Sequence, residues 1–261
     1  MSIIILKLKS MKKNLIFLCF IMLLGCKNST TGEQTSIYAD ETVLIVNYQL
    51  ENMTLEQHAE LGSAVAPSFT SENVPGLLGK SFIGDLDRGV FGGVYYFSSH
   101  ESVETYLESD LWKGVVAHPN LVNFKTDVFK TFSGTELANG NHSMRKTSSD
   151  TADTKDLHVL VVNYTNEVNP TDEEMTSQVK EYAPVFSNEN FPGMIGKTMI
   201  NSTNGNIYGG VYYFTSRAAI DDYFASDLWT GFEGDKNTDV YKKDIYMVAP
   251  ISTISNGVPV L

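Results

Sequence analysis

Three blocks of this chain occur twice at one fixed spacing, and that limits the possible folds more than any other feature. Asn73-Val-Pro-Gly-Leu-Leu-Gly-Lys80 returns as Asn190-Phe-Pro-Gly-Met-Ile-Gly-Lys197. Phe91-Gly-Gly-Val-Tyr-Tyr-Phe-Ser-Ser99 returns as Tyr208-Gly-Gly-Val-Tyr-Tyr-Phe-Thr-Ser216, and Tyr106-Leu-Glu-Ser-Asp-Leu-Trp112 as Tyr223-Phe-Ala-Ser-Asp-Leu-Trp229. Each pair is 117 residues apart. Two flanking pairs sit at slightly different offsets: Val46-Asn47-Tyr48 with Val162-Asn163-Tyr164, and Thr126-Asp127-Val128-Phe129 with Thr238-Asp239-Val240-Tyr241. On that alignment the second copy has lost about five residues before its last strand. Such a series requires duplication, so the chain holds two modules of about 100 residues each.

Both copies carry the same order of local signals. Residues 43–48 are apolar and β-branched, as expected of a buried strand. Thr54 with Gln57, and Thr171 with Glu174, have the spacing of a capping box, and the helices they open end near Pro67 and Pro184. Pro75-Gly76 and Pro192-Gly193 mark turns. Strands are expected over 77–83 and 91–97, a helix from Ser98-Ser99 through Val103, Tyr106 and Leu107, and a last strand over 124–132. The order β-α-β-β-α-β is the ferredoxin-like split βαβ of the α+β class. One face of such a sheet is covered by its own helices and the other needs a partner. Two tandem ferredoxin-like modules in one chain can therefore fold against each other, an internal pseudo-dimer within a monomeric chain.

The flanks read differently. Met11-Lys12-Lys13, a run of about ten apolar residues and Leu23-Leu24-Gly25-Cys26 have the layout of a secretory signal, too short to span a bilayer. Leu-x-Gly-Cys resembles the bacterial lipobox, so 1–25 is expected to be a lipoprotein signal peptide and Cys26 the acylated N-terminus. Residues 26–41 then form a tether, 42–134 module 1, 135–155 a polar linker, 156–255 module 2 and 256–261 a tail. The expected location is the bacterial envelope, lipid-anchored, the outer membrane ahead of the inner because Lys27 follows the Cys where Asp would favour inner-membrane retention. Removing 1–25 takes four lysines and no acids, which leaves 15 basic against 31 acidic residues, a net −16 with His neutral. That surface argues against nucleic acid as a partner.

With these elements in place, each copy resembles the YdhR family of mono-oxygenase-like proteins, related to the antibiotic-biosynthesis mono-oxygenases. The resemblance rests on Pro75-Gly76, Lys80, the strand Gly92-Gly93-Val94-Tyr95-Tyr96-Phe97, the helix at Tyr106-Leu107-Glu108 and the strand at Asp127-Val128-Phe129, with their second-copy equivalents. It implies the dimeric α+β barrel and a cofactor-independent mono-oxygenase acting on a small apolar or aromatic molecule held between helices and sheet. One departure stands out: Gly79 and Gly196 occupy the place before the strand-two lysine where the family often has an aromatic residue.

Other chemistries find little support. Gly79-Lys80-Ser81 looks like the end of a phosphate loop, but Val74 and Phe191 stand where its first glycine belongs. The five histidines form no i, i+4 pair, so no metal is expected, nor any other cofactor. Asp221-Asp222 and Glu173-Glu174 read as solvated charges on helices. The resemblance then makes Asn47 and Asn163 on the first strand, Tyr95, Tyr96, Tyr212 and Tyr213 on the third, and Trp112 and Trp229 at the end of the second helix the candidate catalytic residues. His58 suits a general base in module 1 alone, because Met175 takes its place in module 2. The tyrosines and tryptophans equally suit a packed core. A buried strand amide costs about 1–3 kcal/mol unless bonded, so Asn47 and Asn163 either bind backbone or face a ligand. Adjacent strand tyrosines point to opposite faces, so one of each pair is expected toward the helices and one toward the other module. Three readings stay open: an oxygenase, a non-catalytic ligand-binding or sensing lipoprotein, and a structural envelope partner.

Overall fold

The computed structural model describes residues 38–135, 156–168, 170–203, 207–249 and 252. The expected signal peptide, Cys26, the expected linker from 136 and the expected tail lie outside the described residues. Module 1 runs β1 (Tyr38–Leu50), α1 (Leu55–Val65), β2 (Leu77–Asp85), β3 (Val90–Phe97), α2 (His100–Glu108), α3 (Asp110–Val116) and β4 (Leu121–Phe132). Module 2 repeats it as β5 (His158–Asn166), α4 (Asp172–Tyr182), β6 (Met194–Ser202), β7 (Tyr208–Phe214), α5 (Arg217–Phe224), α6 (Asp227–Glu233) and β8 (Thr238–Val248).

The first strand shows why both faces of the sheet are covered. Val43 and Ile45 point to one side and Leu44 and Val46 to the other, and none of the four is more than 1% exposed. Period-two alternation with apolar residues on both faces needs a layer on each. Helices supply one layer, packed on Leu44, Val46, Leu77, Phe97 and Tyr106 in module 1. The other module supplies the second: Val43, Ile45, Val94 and Phe129 meet Val159, Val161, Val211 and Tyr246 in one shared core. The strands close into a barrel in the order β1-β3-β2-β8-β5-β7-β6-β4. Two short antiparallel junctions join the modules, Ile83 to Val248 in β2–β8 and Phe129 to Ser202 in β4–β6. The barrel has no free edge.

Polar contacts repeat across the pseudo-twofold. Thr198 Oγ1 donates to Tyr96 Oη at 3.3 Å, and Ser81 Oγ lies 3.2 Å from Tyr213 Oη. The Phe82 amide donates to Ser252 Oγ at 2.9 Å and the Met199 amide to Thr135 Oγ1 at 3.1 Å. Thr135, the first residue of the stretch read as linker, is thus buried against the other module. Likewise β1 begins at Tyr38, within the stretch read as tether, because its ring packs 4.9 Å from Phe132. Tyr213→Phe strands the Ser81 hydroxyl in the core and is expected to lower stability by about 1 kcal/mol in urea denaturation, with no change in ligand affinity.

Two readings of the sequence are corrected. The second copy has lost nothing before its last strand. Val43 pairs with Phe129 and Val159 with Tyr246, so Phe129 corresponds to Tyr246, the same 117 residues on. The Thr-Asp-Val-aromatic match at 126–129 and 238–241 is a coincidence of strand composition. The single helix expected after the third strand is two helices. Ser109 is extended, at φ −70 and ψ 156, and its hydroxyl accepts from the Trp112 amide at 3.2 Å while donating to the Tyr106 carbonyl at 2.6 Å. Ser226 repeats this with Trp229 and Tyr223. The recurring Ser-Asp-Leu-Trp block is therefore an N-cap, a first-turn acid and a core anchor.

Candidate functional site

The nine candidate residues do not converge on one place. Tyr96 and Tyr213 face the barrel interior, at most 1% exposed, and join the modules. Trp112 packs its ring 5.7 Å from Tyr106 and 5.9 Å from Phe124, and Trp229 donates Nε1–H to Glu233 at 3.0 Å. Both are helix anchors within the clusters under α2–α3 and α5–α6. Asn47 and Asn163 line a cavity of about 1100 Å³ at one end of the barrel, away from their own helices. Among the described residues, Asn47 Oδ1 and both amide atoms of Asn163 have no hydrogen-bond partner. The rim carries Arg88 bonded to Asp244 at 2.5 Å and Lys242 at 3.4 Å from Asp127, both reaching between modules.

His58 and Tyr95 do come together. They line a second cavity of about 650 Å³ between α1, α3 and the outer face of the module 1 sheet. Met247, Val248 and Ala249 of module 2 complete its wall, so neither module forms it alone. The His58 Nε2 lies 2.8 Å from Tyr48 Oη, and its ring packs 4.7 Å from Phe91. Burial pushes the His58 imidazole down and the Tyr48 phenol up, so both are neutral near pH 7.

Lys80 is the residue that sequence reasoning missed. Its amine lies 3.1 Å from the ring centre of Phe69, 3.7 Å from Phe82 and 4.6 Å from Tyr95. It is 3% exposed, and among the described residues no ion pair or hydrogen bond holds it. Burial drives its pKa well below the usual lysine range, against an opposing attraction of about 0.5–2 kcal/mol from a ring face. Strict alternation from Leu77 would aim Lys80 into the barrel. A bulge between Leu77 and Gly79 in the β2–β3 pairing shifts the parity, which turns Lys80 toward the helices. Gly79, the departure from the family pattern, sits at that bulge, and Gly196 sits at its counterpart in β6. Gly93 also serves the site: a Cβ there would fall 2.7 Å from the Tyr95 ring and 3.3 Å from the Lys80 stem.

In module 2 the end of the equivalent space that matches His58 and Gly62 is occupied. No residue of α1 is buried, whereas α4 drives Met175 and Val179 into a cluster with Phe132 and Tyr208. At the fixed offset of 117 these stand for His58, Gly62 and Phe91 of module 1, and Phe132 for Ala249. Larger side chains thus fill in module 2 the part that His58, Gly62 and Ala249 leave open in module 1. Lys197 keeps its place there, 3.6 Å from Phe186 and 4.6 Å from Tyr212, with its pKa lowered by burial to about 7. Among the described residues no group of His, Cys, Asp and Glu is arranged to hold a metal.

A sequence model of the family described as "Putative mono-oxygenase ydhR" matches residues 43–141 and 159–258. Among solved structures, one described as a putative monooxygenase from Fusobacterium nucleatum aligns at a TM-score of 0.58 and 9% identity, covering 84% of this chain and 96% of its own. Another so described, from Lactobacillus acidophilus, aligns at 0.53 and 12%, covering 85% and 99%. A point mutant of chlorite dismutase from Candidatus Nitrospira defluvii aligns at 0.51 and 11%, covering 82% and 92%. At these identities the likeness is one of fold. No curated protein matches the sequence.

Proposed function

Because the chain belongs to the YdhR mono-oxygenase family, we propose that module 1 binds a small aromatic compound in its helix-side cavity and oxygenates it without a cofactor. Module 2 serves as scaffold, closing the barrel and lending the cavity one wall. The supporting observation is the unequal filling of two pseudo-equivalent spaces. The open one has an apolar lining of Val65, Phe69, Phe82 and Phe91, with Lys80, Tyr95, the Tyr48–His58 pair, Asp110 and His118 as its polar groups. Such a wall selects an apolar ring and orients it by a small number of polar contacts. Acylation at Cys26 would hold the module on the envelope membrane, with palmitate labelling lost in Cys26→Ser.

The test combines a thermal-shift screen of naphthols, quinols and polyphenols with oxygen uptake on every compound that stabilises the protein. Hits that consume oxygen without added metal or flavin support the oxygenase, while hits that only stabilise point to a binding or sensing lipoprotein. Grafting the module 2 residues, His58→Met with Gly62→Val, is expected to weaken ligand binding by about a hundredfold, a loss of ~3 kcal/mol. The same graft should leave stability equal or raised, since each added apolar group buries about 1 kcal/mol or more. Unchanged affinity in the graft would place the ligand elsewhere.

A further inference from the structure

Resting on that reading of the module 1 cavity, we propose that its ligand is an acidic phenol or enol, which docks with its hydroxyl on Lys80 and is held there as the anion. The cavity places one amine, without a partner among the described residues, in a wall otherwise dominated by rings and aliphatic groups. The other titratable groups lining it are His58 from α1, Tyr48 and Tyr95 from the sheet, and Asp110 and His118 at and beyond the ends of α3. Of these, Tyr48 is bonded to His58, and His118 Nδ1 accepts from the Asn120 amide at 3.3 Å. An ionised carboxylate brings four lone-pair sites to satisfy, and the wall around Lys80 has too few donors for it. A phenolate or enolate spreads its charge into a conjugated system and needs fewer contacts. Its ring can also lie against the rest of the apolar wall, which includes Val65 and Phe91.

The step is a proton transfer. The ligand O–H bond breaks, an N–H bond forms on the neutral amine, and an ammonium–oxyanion pair remains where a neutral pair entered. Nothing is oxidised or reduced. Burial lowers the basicity of Lys80, which favours the free amine that accepts the proton in this step. The resulting anion is the electron-rich form that an oxygenase would present to oxygen.

The experiment compares 4-nitrophenol with 4-nitroanisole, its O-methyl analogue, on the full chain below the pKa of free nitrophenol. Wild-type protein is expected to bind both and to raise the phenolate absorbance, lowering the apparent pKa of bound nitrophenol by about one unit or more. Lys80→Met should keep nitroanisole affinity and lose the phenolate band, while Lys197→Met keeps both. A phenolate band that survives in Lys80→Met overturns the assignment. If wild type binds nitrophenol in its neutral form, the inference fails and the cavity remains a ligand site, a result that does not depend on the variant folding. If neither probe binds, the reading of the cavity itself fails, and the inference with it.

Discussion

Gly92→Ala and Gly209→Ala are each expected to cost about 4 kcal/mol or more, most of the stability of a domain at the low end of the ordinary range. A Cβ at Gly92 would lie 1.8 Å from the Val46 carbonyl oxygen and 2.8 Å from its carbon. At Gly209 it would lie 2.1 Å from the Val162 oxygen. Both obstacles are backbone of the adjoining strand, so no rotamer change relieves them. β3 would have to move off β1, or β7 off β5, and those pairs carry the shared core on one face and the helices on the other. Gly114→Ala is the contrast. Its Cβ meets nothing within 4 Å, and an alanine inside α3 should gain up to about 1 kcal/mol. Urea denaturation of the three variants checks this, and a Gly92→Ala protein within about 1 kcal/mol of wild type would sink it.

The same glycines show why so much of the fold was legible. The Gly-Gly-Val-Tyr-Tyr-Phe strand recurs in both copies because β3 and β7 approach their neighbours too closely for a side chain, and the approach is a property of each module. Both capping boxes form as their spacing required, with Thr54 and Thr171 as caps. The internal pseudo-dimer followed from the duplication, the family resemblance and a sheet whose second face needs a partner, and the first strand, apolar on both faces, bears it out. What misled was local resemblance without register. Four residues at 126–129 matched four at 238–241, but the ladder with the first strand aligns them five residues apart. Only pairing decides between two strands of similar composition.

The site was less legible, for two physical reasons. Strand parity alone puts Asn47 with Val43 and Ile45, on the barrel side, so its distance from the helix-side cavity could be read directly. Lys80 fails the same rule because the bulge at Gly79 reverses its face, and a bulge leaves no mark in a single sequence beyond the glycine itself. The unequal cavities depend on Gly62 against Val179 and Ala249 against Phe132. The second pair belongs to the last strand and its end, which line the partner module, so reading either copy alone misses it.

Lys197→Met is expected to flatten the pH dependence of stability and raise stability at neutral pH. The folded pKa of Lys197 is about 7 against 10.5 for a free lysine, so between these values the native state binds fewer protons than the unfolded chain. Stability therefore rises with pH across that window, by up to about 1.4 kcal/mol per unit for this one group. Below about pH 7 both states hold the proton and the cost of burying the ammonium is felt in full. Methionine fills the same volume between Phe186 and Tyr212 without the charge, so the variant gains most where the wild type suffers most. Lys80→Met shifts the profile in the same direction, its amine being driven down by the same burial. Urea denaturation at intervals from pH 7 to 9.5 reads the difference, below the range where unfolded tyrosines ionise and reverse the slope. Parallel profiles for wild type and Lys197→Met would mean that the amine stays charged beneath its rings, and that the aromatic faces outweigh the loss of water.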